Sequence, residues 1–200
     1  MHTTGASATS YTIPESTTKG WGTSAVTLKI RGKGTSLGNT ASGSTIYSSY
    51  TSTVSYTYRA SVSTHPSGLK VNGGTSYTGA TAPLTWSAAA FSGGQTPTYS
   101  IRVNGTELTT TTNTSYTIPE STTKSYTSAV TITVVATGGG ATSNATNGVT
   151  YTYSPTITAP SGLKINNATS YTGRTAPLTW TAGSLSNGGT VTYSIRKDGT

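Results

Sequence analysis

Most of this 200-residue chain is written twice, so whatever fold it adopts must accept both copies. Residues 10–19, Ser-Tyr-Thr-Ile-Pro-Glu-Ser-Thr-Thr-Lys, return unchanged at 115–124. Ser-Gly-Leu-Lys at 67–70, Ala-Pro-Leu-Thr-Trp at 82–86 and Tyr-Ser-Ile-Arg at 99–102 return at 161–164, 176–180 and 193–196. The halves of the repeat alternate as second, first, second, first. One complete unit is therefore flanked by two complementary fragments. Repetition at a fixed period marks a modular array, an organisation suited to spacers, scaffolds and adhesins rather than to catalysis.

Within each copy the hydrophobic period is two. Val130, Ile132 and Val134 share one face and Thr131 and Thr133 the other; Val149, Tyr151 and Tyr153 alternate with Thr150 and Thr152. Tyr99, Ile101 and Val103 alternate with Ser100 and Arg102, and the copy offers Val191, Tyr193 and Ile195. Each pattern predicts a strand with one buried and one wet face. Turn chemistry separates them: Ser92-Gly-Gly, Asn104-Gly, Gly138-Gly-Gly, Ser186-Asn-Gly-Gly and Asp198-Gly. Thr and Ser, roughly two positions in five, favour pleated surfaces over helix. Seven strands are predicted near 68–71, 83–87, 98–103, 107–111, 115–118, 129–136 and 148–153. Seven short strands in about 90 residues, with a tryptophan in the second, predict a two-sheet antiparallel sandwich. Its expected core is Leu69, Val71, Leu84, Trp86, Tyr99, Ile101, Tyr116, Ile118, Val130, Ile132, Val134, Val149 and Tyr151.

The order Pro-x-x-Leu, Leu-Thr-Trp, Tyr-Ser-Ile-Arg, Ser-Tyr-Thr-Ile-Pro, Tyr-x-x-x-Val-x-Ile-x-Val resembles a fibronectin type III module. Pro66, Trp86, Tyr99, Tyr116, Tyr126 and Val130 would occupy that family's core-defining places. The resemblance implies an all-β, Greek-key chain of tandem sandwiches. The expected units are the last three strands of one module over 1–63, a complete module over 64–156, and the first part of a third over 157–200.

The copies differ most between the sixth and seventh strands. Val130 and Val149 lie 19 positions apart, Val26 and Val54 28, so the N-terminal copy carries about nine extra residues there. That loop holds Lys29, Arg31, Lys33, Ile46 and Tyr47, and in the family it resembles such loops often carry recognition. Arg31-Gly32-Lys33 departs from the integrin tripeptide at its acidic position, so integrin binding is not implied. Of the two readings of the three cations, a solvated loop base and an anion-binding tip, the loop base is the plainer.

Catalytic chemistry has little to build from. The four carboxylates are Glu15, Glu107, Glu120 and Asp198; Glu15 and Glu120 are one repeat position and read as ordinary turn residues. With no cysteine and with His2 and His65 far apart, neither a nucleophile–base pair nor a zinc site is expected, and no cofactor is called for. Gly138-Gly-Gly lacks the Lys-Ser/Thr of a phosphate loop. The formal charge is +8, yet the cations are scattered, which argues against a nucleic-acid arm, and no apolar run is long enough to insert in a membrane. Trp21 aligns with Tyr126 and is expected to pack rather than to bind sugar.

A half-sandwich exposes an apolar face and open edges. Three arrangements would complete it: further repeats of a longer array, a head-to-tail neighbour, or the two fragments meeting within one chain. The expected function is structural or adhesive, in a virion or on a cell surface, with itself, other surface proteins or cell-surface glycans as partners. The first ten residues lack a basic, apolar export signal, which favours the virion. A spacer or carbohydrate-binding region of a secreted polysaccharide-degrading enzyme is the alternative.

Overall fold

The computed structural model describes residues 8–35 and 45–197. It is an all-β protein built around one two-sheet sandwich, as the period-two pattern requires. At the N-terminus a helical turn α1 (Glu15–Thr18) precedes β1 (Val26–Leu28), β2 (Lys33–Thr35), β3 (Thr45–Tyr47) and β4 (Val54–Tyr56). β1 pairs antiparallel with β4, and β2 with β3. The link to the sandwich contains β5 (Val62–Thr64).

The sandwich follows with β6 (Ser67–Val71), β7 (Ser76–Gly79), β8 (Ala82–Ser87), β9 (Ala90–Phe91), β10 (Thr98–Val103), β11 (Thr106–Thr111) and β12 (Ser115–Ile118). After the helical turn α2 (Glu120–Thr123) come β13 (Val130–Gly138), β14 (Ala141–Thr142) and β15 (Val149–Tyr153). One sheet runs β12-β8-β6; the other runs β11-β10-β13-β15-β7, with β14 beside β13. Every predicted core residue is buried between them except Tyr116, which is half-buried against the cluster. Trp86 meets Tyr99 edge-on at 5.4 Å.

β7 has no counterpart in the sequence prediction. It joins β15 in parallel, pairing Tyr77 with Tyr151, so the chain leaves one sheet after Val71 and enters the other. The turn between them runs through Asn72 (φ 46°) and Gly73 (φ 78°), left-handed positions that asparagine and glycine tolerate.

The hydroxyl-rich composition has a structural use at the end of β13. There the Val134 and Ala136 amides donate to Thr146 Oγ1 (3.0 Å) and Ser143 Oγ (2.9 Å). The Thr146 and Ser143 amides donate back to the carbonyls of the same two residues. A side-chain oxygen thus stands in for a carbonyl and keeps a buried ladder satisfied through an irregular pairing. The N-terminal copy repeats this: Ile30 N–H donates to Thr51 Oγ1 (3.1 Å) and Gly32 N–H to Ser48 Oγ (2.7 Å).

The C-terminal fragment forms β16 (Ser161–Ile165) and β17 (Leu178–Thr181), paired antiparallel. Two sequence expectations fail here and at the other end. Residues 191–196, the copy of β10, form no strand, and neither do residues 11–13, part of the copy of β12. The cause is the same in both: β10 is held between β11 and β13, and β12 against β8, and the fragments supply no such partners. The sheets of the two fragments share no ladder among the described residues, so they do not complete each other within one chain.

Candidate functional site

The two joints between consecutive units are built from the same atoms. At the first, Glu15 opens α1 just after Pro14, whose fixed φ starts the turn. Its Oε1 accepts hydrogen bonds from Tyr58 Oη (2.9 Å) and from Ser92 Oγ (2.5 Å) of the next unit. Ser92 also bonds the linker: its amide donates to the Ser61 carbonyl, and its Oγ accepts from the Ser61 amide at 2.9 Å. β5 then pairs with β9, seating Val62 opposite Phe91.

At the second joint, Glu120 Oε1 accepts from Tyr153 Oη (2.9 Å) and Ser186 Oγ (2.5 Å). Ser186 exchanges the same pair of bonds with Thr156, and Ile157 bridges to Leu185. One carboxylate therefore ties a turn of one unit, a tyrosine at the end of that unit's last strand pattern and a loop of the following unit together. Glu15 and Glu120 are turn residues, as expected from their positions, but each also reaches across a joint. Sequence reasoning missed this, although a signal existed: Tyr58/Tyr153 and Ser92/Ser186 recur with the glutamates in a chain of only four acidic residues.

The electrostatics follow from the bonding. Hydrogen bonds from Ser92 and then Tyr58 lower the Glu15 pKa, with Lys19 adding to them and burial opposing. Burial, and next the bond to the carboxylate, raises Tyr58; burial, then the bond to Glu120, raises Tyr153.

The first joint is closed further by a glycine hairpin. Gly139 O accepts from the Ala60 amide at 2.8 Å, and Tyr58, Ala60 and Phe91 extend the core into the linker. A Cβ on Gly139 would lie 2.8 Å from that of Ala60. His65 is also a linker group, its Nδ1 accepting from the Asn144 amide at 3.0 Å. Trp21 meets Tyr56 edge-on at 5.8 Å, as Tyr126 meets Tyr151 at 6.3 Å, which is the packing role expected of it.

Among its described residues, the long loop of the N-terminal copy forms a β-ribbon that carries the β2–β3 pair beyond β1 and β4. Arg31 lies over the Tyr47 ring at 3.9 Å and the Tyr50 ring at 5.0 Å; Lys29 lies over Tyr50 at 5.5 Å. Lys33 pairs in register with Tyr47. Four of the five expected recognition residues thus come together on the ribbon. Ile46 is in β3, with its side chain outside the described residues, and Tyr50 is an addition. His2 and Asp198 lie outside the described residues.

The third feature is the apolar face each fragment presents. Ile30 and Val54 are 73% and 61% exposed, whereas their copies Val134 and Val149 are buried. Leu163 and Ile195 are 65% and 70% exposed, whereas Leu69 and Ile101 are buried.

No protein-family model matches the chain, and neither a curated protein nor a solved structure is significantly similar to it.

Proposed function

We propose that this chain is a non-enzymatic structural and adhesive segment of an array of fibronectin type III-like sandwiches, in a virion fibre or a cell-surface filament. The observation that carries the reading is the joint. Two consecutive linkers fix their neighbours through the same glutamate, tyrosine and serine, so each unit is set on the next by the same contacts. Identical contacts repeated along a chain give identical rotations, and hence a stiff, regular rod. The exposed copies of buried residues support completion of each half-module by complementary strands of adjoining chain or of a neighbouring subunit. A heterologous contact of that kind propagates rather than closes.

Small-angle scattering on the whole chain tests the rod. The expected profile is that of one extended rigid body, with Glu15→Ala/Glu120→Ala giving a broader, flexible distribution. A freely jointed profile for the unaltered chain, or no change in the double variant, would overturn the reading. A spacer of a secreted polysaccharide-degrading enzyme would use the same joints, and the exposed cationic ribbon is the observation that keeps this second reading in view. Such an enzyme's gene would encode a catalytic domain beside these modules.

A further inference from the structure

We infer that the ribbon carrying Lys29, Arg31 and Lys33 is a binding site for an acidic polysaccharide, whose closely spaced carboxylates meet the cluster of cations. This deepens the adhesive reading above by naming its ligand. Lys29 and Arg31 lie between β1 and β2 and Lys33 opens β2, and the rings of Tyr47 and Tyr50 gather the three cations on one face of the ribbon. Lys29 and Arg31 share the Tyr50 ring, and Lys33 faces Tyr47 across the ribbon, which places five side chains on that face.

Internal repetition supplies the control. The aligned positions of the complete module are Thr133, Val135 and Thr137, with Thr142 and Ala145 opposite in place of Tyr47 and Tyr50. The sandwich therefore forms without this cluster. Among the described residues no carboxylate pairs with these cations: Glu15, the one acidic residue between positions 8 and 58, is bonded to Tyr58 and Ser92 at the joint.

The geometry selects the ligand class. Arg31 covers Tyr47 at stacking distance and Lys29 lies over Tyr50, so the rings act as a floor for the cations. A guanidinium lying on a ring keeps its N–H donors at its rim, where they match a carboxylate fork. Single-stranded nucleic acid is held by rings left free to stack on bases. An acidic polysaccharide needs only the anion-facing rim, and the three weak contacts of the one ribbon add when successive carboxylates of the same polymer meet them.

The test uses the whole chain on immobilised polygalacturonate, with dextran sulfate, neutral dextran and single-stranded DNA as further arms. We expect retention on polygalacturonate and none on dextran. Arg31→Ala should weaken it about tenfold. Lys29→Ala and Lys33→Ala should weaken it less, while exposed Lys70→Ala and Lys164→Ala leave it unchanged. Tighter binding to dextran sulfate through the same three residues retains the acidic polysaccharide and makes the anion a sulfate. Preference for DNA, equal losses from the remote lysines, or no retention of the unaltered chain overturns the inference. Because binding is read on single chains, that failure is separable from failure of the rod, which scattering reads.

Discussion

Ile101 and Ile195 sit in the same Tyr-Ser-Ile-Arg motif, yet one is fully buried and the other 70% exposed, so one substitution made at both places isolates the contribution of the sandwich. Ile101 lies at the centre of β10, opposite Val134 on β13 and Thr109 on β11. Truncation to alanine removes three buried carbons and leaves a void between two sheets that cannot close around it. The expected cost is about 2–5 kcal/mol, a large share of what a module of this size has. In thermal unfolding that is a fall of roughly 10–30 °C. Ile195→Ala removes a side chain already in water and should change stability by no more than about 0.5 kcal/mol in dilute solution. Hydrogen exchange of the Ile132 and Val134 amides, which report on the sandwich alone, reads the first effect without interference from the fragments. Equal costs at the two positions would refute the reasoning, because they would mean that the C-terminal face is already covered. A negligible cost at Ile101 would refute the sandwich core itself. If Ile195→Ala becomes costly only at concentrations where chains associate, the covering strands come from a neighbour.

The same pairing of copies sharpens the threonines: Thr123 Oγ1 donates to the Ala80 carbonyl at 2.5 Å and is fully buried, so Thr123→Val should cost about 1–3 kcal/mol in denaturant titrations. Its copy Thr18 reaches only the Glu15 carbonyl of its own turn, at 3.4 Å, and Thr18→Val should be close to neutral in the same assay. Because the Glu15 pKa is lowered in the folded joint, its stabilisation is complete above the ordinary carboxylate range and is lost as pH falls through the lowered value. Cleavage of the linker by an acid-active protease should therefore rise below about pH 4, and Glu15→Gln should remove that dependence. Tyr126 and Tyr151 are shifted upward by burial, so their contribution is complete below the ordinary tyrosine value and lost as pH rises through the raised one. Phenolate absorbance should show late-titrating tyrosines whose ionisation coincides with unfolding of the sandwich. Gly93 has φ 68°, and a Cβ there would lie 2.6 Å from Tyr58 Oη, so Gly93→Ala should loosen the first joint, read as faster amide exchange at Ala60 and Ser61.

How much of this fold a sequence can disclose is shown by the chain's own repetition. Residues 10–19 and 115–124 are identical, and the helical turn after the proline forms in both, because its bonds close within a few residues. The preceding Ser-Tyr-Thr-Ile is a strand only in the second copy, where β8 lies alongside it. Period two therefore states which face a strand will bury once it is paired, and a partner decides whether it is a strand at all. The core residues were legible because every one recurs on the inner face of its pattern, whereas β7, with a single inward tyrosine and two flanking polar residues, offers no period to read. The joints were illegible for another reason: Glu15 and Ser92 carry no periodicity, Tyr58 reads only as one more inward tyrosine of its strand pattern, and the three lie far apart in sequence and meet only when two units are in place. What marked Glu15 and Ser92 was recurrence without a core role. In a repeat, apolar identity is required by packing, but a glutamate kept at the same place in a chain of four acidic residues needs a partner that recurs with it. The same logic, inverted, singles out the ribbon: where copies that share a scaffold diverge into three cations and two tyrosines, the scaffold does not require the difference, and that divergence is the ground for the ligand proposed there.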